Sequence, residues 1–216
     1  MDRVKRGVIF DMDGTLLDTE RLYSMAWLET AADFGKEREP ELAMRACGLS
    51  NDQCAALVNE FYPDLDGREY LEHVVNAVRK KAETELALMP GVPEILDFFR
   101  DREIPMAIAS STDTERIETY LGRAGIRRYF NVIVGGEQVV NGKPNPDIFI
   151  RAAELLKLAP DDCYVFEDSP NGVRAGAAAG CTVVMVPNMV QPTDEIRDMC
   201  DYVCESMFEA MKKIGQ

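Results

Sequence analysis

The chain has 216 residues and a formal net charge of −14, and a chain of that length can bury a core without disulfides or a structural metal. Its acidity argues against a nucleic-acid ligand, because non-specific affinity for a phosphate backbone is drawn from a broad basic surface. Hydrophobic residues make up 46% of the sequence, with no low-complexity tract and no fixed-period repeat, so the composition is that of an ordinary globular protein.

No apolar run reaches membrane-spanning length, and Arg3, Lys5 and Arg6 lie near the start without a secretory cleavage pattern. The expectation is a cytoplasmic protein that engages no membrane. The cysteines Cys47, Cys54, Cys163, Cys181, Cys200 and Cys204 are scattered, several inside apolar runs, where a reduced thiol behaves as a small core residue. Cys200 and Cys204 are close in sequence, but without a neighbouring histidine they read as thiols rather than zinc ligands.

Residues 7–10, Gly-Val-Ile-Phe, form a short apolar run suited to a buried parallel strand, which stops at the polar turn Asp11-Met-Asp-Gly-Thr15. Over 19–88 the pattern is helical. Tyr23, Ala26, Trp27, Ala31 and Phe34 share one stripe, and Leu71, Val74, Val75, Val78 and Ala82 share another. Pro90-Gly91 punctuates the chain, and Val92, Ile95, Leu96 and Phe99 begin a new amphipathic helix.

Strands then follow at 104–109, 132–134, 163–166 and 181–186. They alternate with helices marked by Ile117, Tyr120, Leu121 and Ala124, by Ile148, Ala152, Leu155 and Leu156, and by the small residues of 171–179. Such alternation implies right-handed crossovers in a parallel sheet. The expected fold class is α/β: a Rossmann-like parallel sheet with helices on both faces, formed by 1–17 and 88–216. An all-helical cap, 18–87, is inserted after the first strand.

Ligands in open parallel sheets bind beyond the carboxyl ends of the strands. Asp11 and Asp13 follow the first strand, Ser110 follows the second, and Glu167 and Asp168 follow the fourth, while Lys143 arrives from the Gly-Lys-Pro-Asn-Pro segment after the third. Clustered carboxylates would repel each other and any phosphate unless a divalent cation sat among them. Magnesium suits oxygen ligands and shares carboxylates with a substrate phosphate, so Asp11 and Asp168 are candidate ligands for Mg2+ and Lys143 is the counter-ion.

Other motif readings fail on individual positions. A calcium loop starting at Asp11 would need glycine at Leu16 and glutamate at Leu22, and a phosphate-binding P-loop would need serine or threonine at Pro144. His73, the one histidine, sits in the helical segment without the sequence context of a serine hydrolase and reads as a structural or surface residue.

Asp11-Met-Asp-Gly-Thr-Leu-Leu-Asp18, Ser110, Gly142-Lys-Pro-Asn-Pro-Asp147 and Phe166-Glu-Asp-Ser-Pro-Asn-Gly172 occur in this order. In this they resemble the four motifs of the haloacid dehalogenase-like superfamily. The helical insertion is similar to the small cap of the subfamily that includes beta-phosphoglucomutases and many sugar-phosphate and nucleotide-related phosphatases. The resemblance implies that Asp11 is a nucleophile forming an aspartyl phosphate, and that Asp13 protonates the leaving oxygen and later activates water. It further assigns Mg2+ to the Asp11 side chain, the Asp13 backbone carbonyl and Asp168, and the transferred phosphate to Ser110 and Lys143. Thr15, Ser111 and Glu167 stand in supporting positions. Asp13 points to phosphoryl chemistry, since relatives that cleave carbon–halogen bonds usually lack it.

The implied activity is phosphatase action on a small phosphorylated metabolite, a sugar phosphate or nucleotide-like monophosphate. The insertion is expected to close over the phosphate, with Glu20, Tyr23, Trp27 and the 48–51 turn, including Asn51, as candidates to contact the leaving group. For Tyr23 and Trp27, which lie on an apolar stripe, burial is the preferred reading. An alternative is a beta-phosphoglucomutase-type mutase. That resemblance would want cations near 47–51 and a histidine at Tyr23, where this chain has Cys47 and Asn51, leaving Arg45 or another cap arginine to compensate. A further alternative is a non-catalytic metal- or ligand-binding protein.

Overall fold

Val8, Ile9 and Phe10 are each 0% exposed, as expected where a parallel strand is covered on both faces. The structure is a computed structural model that describes residues 4–47, 49 and 51–215. It divides into two units, Met1–Leu17 with Leu88–Gln216, and Asp18–Ala87. The strands are β1 (Gly7–Phe10), β2 (Met106–Ala109), β3 (Val132–Val134), β4 (Cys163–Glu167), β5 (Thr182–Met185) and β6 (Tyr202–Val203). The helices are α1 (Thr19–Asp33), α2 (Pro40–Ala46), α3 (Asn51–Phe61), α4 (Gly67–Lys81), α5 (Val92–Arg100), α6 (Thr114–Arg123), α7 (Asp147–Leu156), α8 (Pro170–Ala179), α9 (Asp194–Asp198) and α10 (Met207–Ile214).

The six strands form one parallel sheet in the order β3-β2-β1-β4-β5-β6. This is the doubly wound order, and the chain reverses its direction of travel across the sheet beside β1. Register sorts the side chains by alternation. Ile9 pairs with Ala107 and Val165, and these pack with Phe149 and Ala152 of α7. Phe10 pairs with Phe166, the two rings stacked at 4.8 Å, and Phe99 of α5 meets both rings edge-on at 6.0 Å. The sheet is therefore Rossmann-like with helices on both faces.

Three C-terminal features had no counterpart in the sequence reading. The short helix α9 is capped by the Thr193 side chain, the two-residue strand β6 pairs with β5, and α10, capped by the Ser206 side chain, packs against α5. A two-residue strand is too short to show any periodicity.

In the helical unit, Ala26, Trp27 and Ala31 are buried along α1, and Val74 and Val78 along α4. The centre of this unit is Tyr70, a residue outside both expected stripes. It is 0% exposed, its ring stacks on Trp27 at 5.6 Å and lies against Phe34 at 5.4 Å and Tyr62 at 5.8 Å, and its hydroxyl donates to the Trp27 carbonyl at 2.9 Å. Burial pushes the phenol's pKa up. His73 is exposed and meets the Phe34 ring edge-on at 5.0 Å, a surface packing role.

Substituting Tyr70→Phe keeps the stacking and removes the hydrogen bond. It is expected to cost about 1 kcal/mol in urea unfolding, and an unchanged midpoint would show that the hydroxyl contributes nothing.

Candidate active site

The turn after β1 is tied to itself before it meets any partner. Met12 offers its carbonyl to the N–H groups of both Leu16 and Leu17 at 3.0 Å, and Gly14 N–H donates to the Leu17 carbonyl at 2.9 Å. Gly14 has φ +78°, and a Cβ there would lie 2.2 Å from Oδ2 of Asp168. Glycine thus allows the left-handed turn and lets the Asp168 carboxylate come directly against the backbone. Thr15 Oγ1 donates to Asp168 Oδ1 at 3.2 Å, and Asn188, from the loop after β5, donates to the Gly14 carbonyl at 3.3 Å.

Lys143 crosses from the loop after β3 to the ends of β1, β2 and β4. Its ammonium donates to Asp11 Oδ1 at 2.5 Å, Glu167 Oε1 at 2.6 Å and the Ala109 carbonyl at 3.1 Å, and lies 4.9 Å from the centroid of the Phe149 ring. All three ammonium hydrogens are used. The side chains of Lys143, Asp11 and Glu167 are 7%, 9% and 1% exposed. Burial alone would lower the lysine's pKa, but the charges of Asp11 and Glu167 and their hydrogen bonds outweigh it and keep it protonated. Burial raises the pKa of Asp11; Lys143 opposes that rise, while Glu167 and Asp13 add to it. The Lys143–Pro144 peptide is cis, and the loop is braced by Asn145, whose N–H and side-chain amide both reach the Gly142 carbonyl at 3.0 Å.

Glu167 is committed on both oxygens. While Oε1 receives Lys143, Oε2 receives the N–H groups of Asp168 and Ser169 at 3.1 Å and the Ser169 hydroxyl at 2.9 Å. Ser169 in turn caps α8 by accepting the Gly172 N–H. A Cβ at Gly172 would fall 1.8 Å from the Glu167 carboxyl carbon, so glycine is required there for this carboxylate to sit where it does. One oxygen each of Asp11, Glu167 and Asp168 lie within 4.8 Å of one another. This buried, all-oxygen donor set has the chemistry of a hard divalent cation site.

Asp13 is held from the β2 side. Its Oδ2 accepts from Ser110 Oγ at 3.1 Å and from Thr112 Oγ1 at 2.8 Å. The structure therefore brings Asp11, Asp13, Thr15, Ser110, Lys143, Glu167 and Asp168 to one rim, with Ser111 exposed on the adjoining turn. Thr112 and Asn188 escaped the sequence reading. The only signal for Thr112 was its place two residues beyond Ser110 in a polar turn.

The remaining candidates belong to the helical unit. The Cys47 thiol points at Glu20 Oε2 at 3.4 Å, Tyr23 is half-buried on α1, Trp27 is 4% exposed with its ring on Tyr70, and Asn51 opens α3 exposed. Gly48 and Ser50 of the expected 48–51 turn lie outside the described residues. Arg45 is engaged by both carboxylate oxygens of Glu60, at 2.9 and 3.0 Å, and lies over the Phe61 ring at 5.2 Å.

A sequence model of the family described as haloacid dehalogenase-like hydrolase matches residues 8–186. The chain is 38% identical to a phosphorylated carbohydrates phosphatase of Thermotoga maritima, over 80% of this chain and 81% of that protein. It is also 38% identical to the Drosophila melanogaster protein named "Probable pseudouridine-5'-phosphatase", over 83% of this chain and 80% of that one. Among solved structures, a haloacid dehalogenase family hydrolase of Deinococcus radiodurans with bound phosphate and sodium superposes with a TM-score of 0.81 at 27% identity, covering 99% of this chain and 98% of that one. The protein belongs to the haloacid dehalogenase-like hydrolase family, and these two relatives are named as phosphatases, enzymes that hydrolyse phosphoric monoesters.

Replacing Lys143 by alanine leaves two buried carboxylates facing each other without a counter-charge. In metal-free buffer this is expected to cost about 3–5 kcal/mol of stability, read as a lowered denaturation midpoint. An unchanged midpoint would contradict the pairing.

Proposed function

We propose that the protein is a magnesium-dependent phosphatase that hydrolyses a small phosphorylated metabolite through a phosphorylated Asp11. The observation that carries this reading is the buried contact of Lys143 with Asp11 and Glu167, beside Asp168 and a separately held Asp13. Asp11 and Asp168, with the Asp13 backbone carbonyl, would hold Mg2+. Bound there, the ion would offset the charge of the phosphate and of the acids around it. Glu167 serves instead to hold Lys143 and the β4–α8 turn.

In the first half-reaction an Asp11 oxygen attacks phosphorus. The bond to the leaving oxygen breaks with its electron pair, and that oxygen takes the proton of Asp13. In the second, Asp13 accepts a proton from water as the water attacks the aspartyl phosphate, returning Asp11 and releasing inorganic phosphate. Ser110 bears on the phosphoryl oxygens through its hydroxyl and Lys143 through its positive charge, so catalysis depends on positioning and charge as one unit.

Sugar phosphates and nucleotide-like monophosphates are the proposed substrate class, supported by the named activities of the relatives and by the phosphate held in the Deinococcus structure. In this reading the helical unit acts as the cap, and Glu20, Tyr23 and Asn51 are its residues offered to the leaving group. The mutase reading gains no support from Arg45, whose guanidinium is committed to Glu60. A reducing, cytoplasmic setting is supported by six cysteines that form no disulfide among the described residues, of which Cys54, Cys163, Cys200 and Cys204 have pKa values pushed up to about 11 and Cys181 to about 12 by burial. Among the described residues no helix is long and apolar enough to cross a membrane.

With purified protein, Mg2+ and an aryl phosphate, Asp11→Asn is expected to leave only background turnover, and Asp13→Asn to lower turnover by about 10²- to 10⁴-fold. Wild-type turnover by Asp11→Asn would overturn the nucleophile assignment.

A further inference from the structure

The geometry points to Thr112 as the positioning residue for Asp13, fixing which of its two carboxyl oxygens carries the transferred proton. The inference rests on the general acid–base role proposed for Asp13. Thr112 Oγ1 donates to Asp13 Oδ2 at 2.8 Å, the shorter of the two hydrogen bonds that oxygen accepts. Among the described residues none donates to Oδ1. An oxygen that already accepts two hydroxyl hydrogens is a poor place for a proton, so the proton that Asp13 gives to the leaving group resides on Oδ1.

The backbone of Thr112 is clamped from three directions, which makes its hydroxyl a fixed donor. Its N–H donates to Ser110 Oγ at 3.1 Å, and its carbonyl accepts the Gly136 N–H at 3.1 Å. The next residue, Asp113, is the N-cap of α6 and accepts the Arg116 N–H at 2.9 Å. Ser110 differs from Thr112 in one respect. Its hydroxyl is also claimed by the phosphate in the proposed reaction, and a single hydroxyl hydrogen cannot serve both acceptors. When phosphate takes the Ser110 hydrogen, Thr112 is the donor that continues to hold Asp13.

A residue that only stabilises the turn would affect all substrates alike. One that positions the general acid matters most where the leaving oxygen needs a proton. The test compares kcat/KM, which reports steps through leaving-group departure, for an alkyl phosphate and for 4-nitrophenyl phosphate, whose acidic phenol leaves without protonation. Wild type, Asp13→Asn, Thr112→Val and Thr112→Ser are assayed with Mg2+, and thermal melting checks that each is folded.

Thr112→Val is expected to lower kcat/KM for the alkyl ester by about tenfold while changing the aryl ester by about twofold or less, with Thr112→Ser restoring the wild-type ratio. Equal losses on both esters, or no loss on either, would overturn the role of Thr112. If Asp13→Asn itself fails to discriminate between the two esters, the acid–base assignment of Asp13 is what has failed. If Asp13→Asn discriminates and Thr112→Val does not, the inference about Thr112 alone has failed.

Discussion

Taking an ammonium and two carboxylates out of water costs several kcal/mol per ion, and that cost is recovered only where hydrogen-bond geometry is good and no partner is left over. Lys143 meets this condition through Asp11, Glu167 and the Ala109 carbonyl, one acceptor from the end of each of β1, β4 and β2. The lysine comes from the loop after β3, so four consecutive strands of the sheet are coupled through one nitrogen. The remaining features of the rim follow from holding that arrangement. Glu167 is fixed by the β4–α8 turn, Gly172 leaves the space it occupies, and the stacked Phe10 and Phe166 rings hold β1 and β4 in register just below the acids they carry.

The same arrangement divides labour among acids that look alike in sequence. Asp11 is desolvated and bound to a cation, Glu167 is spent on both oxygens, Asp168 packs against the backbone of Gly14 and receives Thr15, and Asp13 is held by hydroxyls. Environment rather than residue type thus separates a nucleophile, an anchor, a cation ligand and an acid–base group in the proposed reaction.

Much of the sheet could be read from the sequence because a buried parallel strand leaves a plain mark: a few consecutive apolar residues, then a polar turn. Val8–Phe10, Met106–Ala109 and Tyr164–Phe166 all carry it, and strand ends in such sheets are where ligands gather, which singled out Asp11, Ser110 and Asp168 for inspection. The commitment of Glu167 to Lys143 was not legible, since it depends on a contact 24 residues apart. Thr112 was missed because a threonine in a turn is common and its aim at Asp13, 99 residues away, is a property of the packed fold. Tyr70 lies four residues before Val74 and so on the same buried face of α4, but it was left out of the expected stripe, and the aromatic partners it meets on α1 and beyond α3 belong to the packed fold.

Calorimetric titration of Mg2+ into metal-free protein tests the central claim most directly, because it reads the acidic rim without requiring turnover. The account predicts one ion bound per chain by the wild type, and loss of that binding in Asp168→Asn with the fold intact. Undiminished binding by Asp168→Asn would place the ion elsewhere and contradict the account.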